Sequence, residues 1–184
     1  MTPVDDAAPG ARRARVIVVM GVAGCGKTAI GSLLAQRMGC RFIEGDSLHP
    51  PENVARMASG RPLTDELRVG WLDRIGSEMS SSVGRGESVV AACSALKRIY
   101  RDQLRGHEPG VVFVYPEVDP ETASRRVGSR KGHFMPASLV ESQFAILEPP
   151  QSDERAVMLN GSRAIDELVD EARREIASLT RDRA

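Results

Sequence analysis

The stretch VIVVMGVAGCGKT, residues 16–28, decides the fold. Its opening run, Val16–Met20, is apolar and ends at a glycine, which predicts a buried β-strand. The rest, Gly21–Thr28, matches the pattern G-x-x-x-x-G-K-[ST]. In that pattern backbone amides turn inward around an anion, and the following helix adds its positive N-terminal end. The stretch therefore predicts a strand, a phosphate-binding loop and a helix in direct succession.

The loop supplies the candidate nucleotide contacts, which are Gly21, Val22, Ala23, Gly24, Cys25, Gly26, Lys27 and Thr28. We expect Lys27 to reach the β and γ phosphates of ATP and the Thr28 hydroxyl to bind Mg²⁺. We interpret Cys25 as a small residue that fills a tight turn, with a redox-sensitive thiol as the alternative. For the loop as a whole, the alternative is a glycine-rich turn that binds no ligand.

The composition is that of an ordinary globular chain without a strong net charge. Of 184 residues, 41% are hydrophobic, and 25 Lys and Arg balance 25 Asp and Glu. We therefore expect a flexible tail over residues 1–15, one domain over residues 16–184, and neither a nucleic-acid nor a membrane partner. The three cysteines are far apart in sequence, and no apolar run is long enough to span a membrane. These features favour a cytoplasmic protein.

Short apolar runs alternate with longer amphipathic stretches along the chain. The predicted strands are Val16–Met20, Arg41–Glu44, Ser88–Cys93, Val111–Tyr115 and Ala156–Leu159. The predicted helices are Lys27–Met38, Pro51–Ser59, Leu67–Val83, Ala95–Arg105, Pro120–Val127, Pro136–Leu147 and Ala164–Leu179. This alternation predicts an α/β fold in which helices cover both faces of a parallel sheet.

A phosphate-binding loop alone indicates a nucleotide but no particular reaction. The sequence contains no N-K-x-D motif of the kind that reads guanine, and a motor or a large ATPase needs a longer chain. A small kinase is therefore expected. Its acceptor should bind at the carboxyl edge of the sheet, where open α/β sheets place their ligands.

Asp46 follows the second predicted strand and is the candidate for orienting or deprotonating the attacking hydroxyl group. The alternatives are that Asp46 caps the next helix or that it coordinates only a water molecule of the metal ion. His49 is a further candidate contact of the acceptor, or it only closes the turn. Ser94 and Lys97 follow the third predicted strand: Ser94 is expected to cap the next helix, and Lys97, one turn in, to point its ammonium toward the site. The alternative for Lys97 is a solvated surface residue.

Arg56, Arg61 and Arg68 lie in the segment of about residues 47–83, which we interpret as the acceptor-binding part of the chain. Guanidinium groups can hold an anionic acceptor through paired hydrogen bonds, although exposed arginines often serve only solubility.

A basic stretch, SRRVGSRKGHF, occupies residues 124–134. It is predicted to form an exposed loop or lid, over about residues 125–137, between two helices. Arg126 and Arg130 are candidates for bringing a guanidinium to the γ phosphate, and His133 for packing against the closed site. The alternative is a solvated surface.

Together these segments resemble the gluconate kinase family of small P-loop kinases, over about residues 16–150. The resemblance rests on GVAGCGKT, FIEGDSLHP, ENVARMASGRPLTD, CSALKRIYRDQLR, RKGHFMPASLVESQF and LEPP. It implies a three-layer fold around a five-stranded parallel sheet of order 2-3-1-4-5, and often a homodimer. It also implies transfer of the ATP γ-phosphoryl group to the 6-hydroxyl of D-gluconate.

The resemblance also implies roles for individual residues. The ATP-phosphate and Mg²⁺ site would comprise Gly24, Gly26, Lys27 and Thr28, with Asp46 beside the acceptor hydroxyl. Positions that match the acceptor pocket are His49, Arg56, Ser94 and Lys97. Positions that match the lid are Arg126 and Arg130, with residues 131–134.

The chain departs from the family pattern LTDxDRxPWL at Leu67, where the family has an acid, and at Gly70, where it has a proline; Arg68 and Trp71 are retained. We expect loss of the acid either to free the Arg68 guanidinium for substrate or to leave it unfixed, and Gly70 to loosen a helix start. A kinase of shikimate, another small acid or a nucleoside monophosphate, and a non-catalytic nucleotide-binding regulator, remain alternatives.

Overall fold

The computed structural model describes residues 14–129 and 138–181, which form a five-stranded parallel sheet flanked by helices. The strand order is β2-β3-β1-β4-β5, and every pairing is parallel. The strands are β1 (Val16–Val19), β2 (Arg41–Glu44), β3 (Val89–Ala92), β4 (Val112–Glu117) and β5 (Ala156–Asn160). The predicted fold class and strand order are confirmed.

The described residues contain seven α-helices and a short 3₁₀ helix, Gly45–Leu48, directly after β2. The α-helices are α1 (Lys27–Met38), α2 (Pro51–Ala58), α3 (Asp65–Gly84), α4 (Arg98–His107), α5 (Pro120–Gly128), α6 (Ser138–Ile146) and α7 (Ile165–Arg181). Among the described residues, no helix is both long and apolar enough to cross a lipid bilayer.

The core lies on both faces of the sheet, because alternate residues of a strand point to opposite sides. In β1, Val16 and Val18 pack on one side and Ile17 and Val19 on the other. The first side is covered mainly by α3 and α4, whose buried residues include Trp71, Leu72, Ile75 and Leu104. The second is covered by α1 and α7, whose buried residues include Ile30, Leu34, Leu168 and Val169. Burial on both faces explains why the central strands are continuously apolar.

The helix starts near the acceptor segment differ from the prediction. Helix α3 begins at Asp65 rather than Leu67, because the Thr64 hydroxyl accepts a hydrogen bond from the Leu67 amide and caps the helix. Gly70 therefore lies inside α3 and does not loosen its start.

Helix α4 begins at Arg98 rather than Ala95. Ala95 has a left-handed φ of 41° and Lys97 is extended, so the chain cannot be helical before Arg98. Ser94 consequently does not cap α4, and Lys97 precedes the helix instead of lying one turn inside it. Both positional predictions are wrong.

The predicted lid is partly helical, because α5 continues to Gly128 and thus includes Arg125 and Arg126. Residues 130–137 of the predicted lid, among them Arg130 and His133, lie outside the described residues, as does most of the predicted N-terminal tail.

Candidate active site

The phosphate loop turns between the carboxyl end of β1 and the start of α1. Its conformation depends on glycine, as two of its residues show. Gly26 has a φ of 98° where it precedes α1, and a side chain at Gly24 would place its Cβ 2.4 Å from the backbone oxygen of Ala123 in α5. The loop is thus pressed against α5, and only a residue without a side chain fits at that contact.

The interior of the loop offers unpaired backbone donors. Among the described residues, the amides of Gly24, Gly26, Lys27 and Thr28 donate to no backbone oxygen. The Lys27 ammonium lies over the loop, 2.9 Å from the Val22 oxygen. Amides at a helix N-terminus together with an ammonium group form an anion site of the kind that phosphate occupies.

One cleft joins this loop to most of the predicted acceptor residues. The loop contributes Ala23, Gly24, Gly26, Lys27 and Thr28, and the predicted acceptor residues that line the cleft are Asp46, His49, Arg68 and Ser94. The sequence did not predict the other residues of its lining, which are Met57, Pro62, Leu63, Val127, Leu139, Ser142 and Gln143. The cleft therefore has a phosphate-binding end and an end that combines a carboxylate, an imidazole and a guanidinium.

Asp46 is held by the tight junction between β2 and the 3₁₀ helix. A Cβ at Gly45 would lie 2.2 Å from the Ala92 oxygen in β3, so the backbone there packs directly against the neighbouring strand. The Trp71 indole donates a hydrogen bond of 2.7 Å to the Gly45 oxygen and fixes the junction from the side of α3. Pro50, not Asp46, precedes α2, so Asp46 does not cap that helix.

His49 stacks on Trp71, with ring centroids 4.1 Å apart. Burial lowers the pKa of His49 to about 4, against the opposing effect of the nearby Asp46 carboxylate. The imidazole is therefore neutral near pH 7, and its buried Nδ1 has no hydrogen-bond partner among the described residues. A neutral ring nitrogen that faces a polar cleft can pair with a hydroxyl group of a ligand.

Arg68 is the predicted arginine that reaches the cleft. It is only 6% exposed, its guanidinium lies 5.4 Å from the centre of the Tyr100 ring, and its buried Nε has no hydrogen-bond partner among the described residues. Because an unpaired donor on a buried cation is costly, this position suits an anionic ligand. Arg56 and Arg61 do not line the cleft: their Nε atoms donate to the Pro62 oxygen and the Ser59 hydroxyl.

Lys97 also lies outside the lining of the cleft. Its ammonium is 2.8 Å from both carboxylate oxygens of Asp65, at the start of α3. Hydrogen bonds from Lys97 and Tyr100 lower the pKa of Asp65. The charge of Lys97 is thus already paired with Asp65. The ammonium was expected to point toward the acceptor site, and it does not line the cleft.

Ser94 reaches the cleft because the turn after β3 is held in an unusual conformation. The Ser94 oxygen accepts the Gly21 amide at 3.0 Å, which ties this turn to the base of the phosphate loop. Arg101 is fully buried, and its Nη1 donates to the backbone oxygens of Ala95, Leu96 and Glu148 at 2.9–3.3 Å. Sequence reasoning missed this role, because an arginine on an amphipathic helix is ordinarily a solvated residue.

Arg126 contacts the phosphate loop from α5. Its guanidinium lies 3.5 Å from the Gly24 oxygen and 3.1 Å from the Gly161 oxygen, in the turn after β5. It thus joins the loop to the end of the sheet, although it does not line the cleft.

The chemistry of the cleft fits a magnesium ion bound together with phosphates. Mg²⁺ prefers oxygen ligands and is usually held by few protein groups and by the phosphates of its substrate. Thr28 supplies a hydroxyl and Asp46 a carboxylate to the same cleft. The described residues contain no cluster of three or more His, Cys, Asp or Glu that could hold a metal without a substrate.

Comparison with known proteins identifies the family. A family model described as shikimate kinase matches residues 23–178. The gluconokinase of Gluconobacter oxydans is 45% identical over 157 residues, which cover 85% of this chain and 88% of that protein. The thermosensitive gluconokinase of Escherichia coli is 40% identical over 167 residues, which cover 90% of this chain and 89% of that protein.

A solved structure of a gluconokinase from Sinorhizobium meliloti superposes with a TM-score of 0.83 at 44% identity, covering 93% of this chain and 96% of that one. The shikimate kinase model is the broader match, and these relatives identify gluconokinases as the more specific group. With this cleft on this sheet, and with such identity over most of both chains, the protein belongs to the gluconokinase family.

Proposed function

We propose that this chain transfers the γ-phosphoryl group of ATP to the 6-hydroxyl group of D-gluconate, giving 6-phospho-D-gluconate and ADP. The observation that carries the proposal is the single cleft in which Lys27 and Thr28 lie together with Asp46 and Arg68. The relatives from Gluconobacter oxydans and Escherichia coli, both gluconokinases, support gluconate over shikimate or a nucleoside monophosphate as the acceptor.

The chain's own groups can supply what phosphoryl transfer needs, which is positioning and stabilisation of charge. The loop amides and Lys27 hold the phosphates in place. Asp46 orients the attacking hydroxyl and takes its proton as the new oxygen–phosphorus bond forms and the bond to the β–γ bridging oxygen breaks. Thr28, together with the phosphates, would hold Mg²⁺, which would neutralise charge on the phosphate oxygens when bound.

The other end of the cleft suits a hydroxylated carboxylic acid. The Arg68 guanidinium can bind a carboxylate through paired hydrogen bonds, and His49 and Ser94 offer partners for hydroxyl groups. Arg56 and Lys97 are less well supported as substrate contacts, because their side chains bind Pro62 and Asp65. Roles for Arg126 and Arg130 at the γ phosphate, and for His133 in the lid, remain predictions.

Three further parts of the proposal rest on the family resemblance and the composition. They are Mg²⁺ as the required cation, a homodimeric assembly and a cytoplasmic location. Removal of divalent cations with EDTA, and sedimentation of the purified protein, test the first two directly.

The proposal is tested by measuring ADP release with D-gluconate, other sugar acids, shikimate and nucleoside monophosphates as acceptors. Gluconate is expected to stimulate turnover most, with the product phosphorylated at the 6-position by ³¹P NMR. Lys27→Met serves as the inactive control, since it keeps the length of the side chain but removes the ammonium. ATP binding without acceptor-stimulated turnover would contradict the proposal and favour a regulator.

A further inference from the structure

The side chain of Gln143, in α6, reaches the phosphate loop. Its Oε1 accepts a hydrogen bond of 2.6 Å from the backbone amide of Ala23. Because a backbone N–H can only donate, the atom that faces it must be the carbonyl oxygen of the side chain. Gln143 is 8% exposed and Ala23 is 7% exposed, so this hydrogen bond is largely shielded from water.

Two successive residues of the loop are thus held by two different helices. Ala23 is held by Gln143 of α6, and Gly24 lies directly against the Ala123 oxygen of α5. Of the amides that follow, those of Gly24, Gly26, Lys27 and Thr28 donate to no backbone oxygen of the described residues and are the free donors of the anion site. A hydrogen bond is directional, so the Ala23 contact fixes the plane of the peptide that leads into those donors.

We propose that Gln143 is a positioning residue of the phosphate loop, which holds the Ala23 peptide so that the following amides already face the triphosphate before ATP binds. Donors that are oriented in advance bind and stabilise phosphate without the cost of ordering the loop. Without the Gln143 oxygen, the Ala23 amide is left buried and has no hydrogen-bond acceptor, and the loop can rotate to expose it. The inference rests on the proposed function in that the loop must bind ATP.

The test compares two variants. Gln143→Leu removes the oxygen that accepts the hydrogen bond, and Gln143→Glu keeps such an oxygen on a side chain of the same length but adds a negative charge. Glu141→Gln, on the exposed side of the same helix, is the matched control. Calorimetry measures the Kd for ATP without gluconate, and steady-state kinetics give kcat and the KM of each substrate. Thermal unfolding without nucleotide reports the effect on stability.

Gln143→Leu should weaken ATP binding about tenfold, with the KM for gluconate nearly unchanged. Gln143→Glu should also bind ATP less tightly, through repulsion of the phosphates, but its deficit relative to wild type should shrink as salt is raised. The loss of ATP affinity in Gln143→Leu should not shrink as salt is raised. Glu141→Gln should behave as wild type in every measurement.

The inference is overturned if folded Gln143→Leu binds ATP as wild type does while its unfolding temperature falls, because the contact then only stabilises the fold. A change confined to the KM for gluconate overturns it as well. If the wild-type protein binds no ATP, the proposed function is overturned and the inference with it. This outcome is distinguishable from failure of the inference alone, because it is observed in the wild-type protein without any variant.

Discussion

Arg101 and Glu154 face each other through two hydrogen bonds of 2.7 Å, and neither side chain is exposed to solvent. Burial alone would raise the pKa of Glu154, but hydrogen bonds from Arg101, Arg105 and the Gln151 amide hold it at about 2. The carboxylate is therefore charged at neutral pH. Through Arg101, this one pair holds the turn that carries Ser94 into the cleft.

Glu154→Gln should lower the free energy of unfolding by about 3–5 kcal/mol, because it leaves the Arg101 guanidinium buried without its counter-charge. Chemical denaturation measures the loss. The double variant Arg101→Met/Glu154→Leu should lose less than Glu154→Gln, since it also removes the cost of burying a charge. A larger loss in the double variant would show that the shape of the two side chains, not their charge, stabilises the turn.

Asp46→Asn should reduce kcat by about 10²–10⁴-fold while the Kd for ATP changes little, because an amide orients the hydroxyl but cannot take its proton. Steady-state kinetics and calorimetry separate the two effects. Glu52→Gln, at an exposed acid in α2, is the control for loss of one negative charge. An unchanged kcat in Asp46→Asn would reduce Asp46 to a structural residue.

Arg68→Met should raise the KM for gluconate at least about tenfold and leave the KM for ATP nearly unchanged, because it removes the cation at the acceptor end of the cleft. Arg68→Lys should recover only part of this loss, since an ammonium cannot form the paired hydrogen bonds. Arg74→Met, at an exposed arginine of α3, controls for the net charge of the helix. Equal increases in both KM values would contradict the assignment of Arg68 to the acceptor.

The buried His49 ring should make the stability of the protein depend on pH. Its pKa is about 4 in the folded protein and 6.5 in an ordinary setting, so the unfolded chain binds more protons between these values. The free energy of unfolding should therefore fall as the pH falls from 6.5 toward 4.

His49→Phe, which keeps a ring against Trp71, should lack this part of the decline. Denaturation at several pH values gives the free energy of unfolding of the wild-type protein and of the variant. If the difference between these two free energies is constant from pH 6.5 to pH 4, the pKa of His49 is not lowered by folding.

The sequence predicted those parts of the site that local patterns encode. The glycines and Lys27 of the phosphate loop have a fixed spacing, and Asp46 follows a recognisable strand. The contacts of Arg101 with Glu154 and of Gln143 with Ala23 join residues 53 and 120 positions apart. No periodicity or spacing signals such pairs.

Tertiary placement likewise decided which predicted cations face the cleft. Arg68 and Lys97 were both plausible from charge, but Lys97 pairs with Asp65, whose position at the start of α3 depends on the Thr64 cap. The start of α4 was predicted too early because a left-handed Ala95 has no clear signature in sequence. Hydrophobic patterning locates a helix well, but its ends depend on such single backbone angles.

The position of β3 between β1 and β2 sets the distance between the two halves of the reaction. Neighbouring strands are about 4.8 Å apart, so the phosphate loop after β1 and Asp46 after β2 begin about 10 Å from each other. Donor and acceptor molecules can then lie side by side over the end of β3 without sharing a subsite. Acceptor preference could accordingly be re-engineered from the β2 side alone, leaving the nucleotide half of the enzyme as it is.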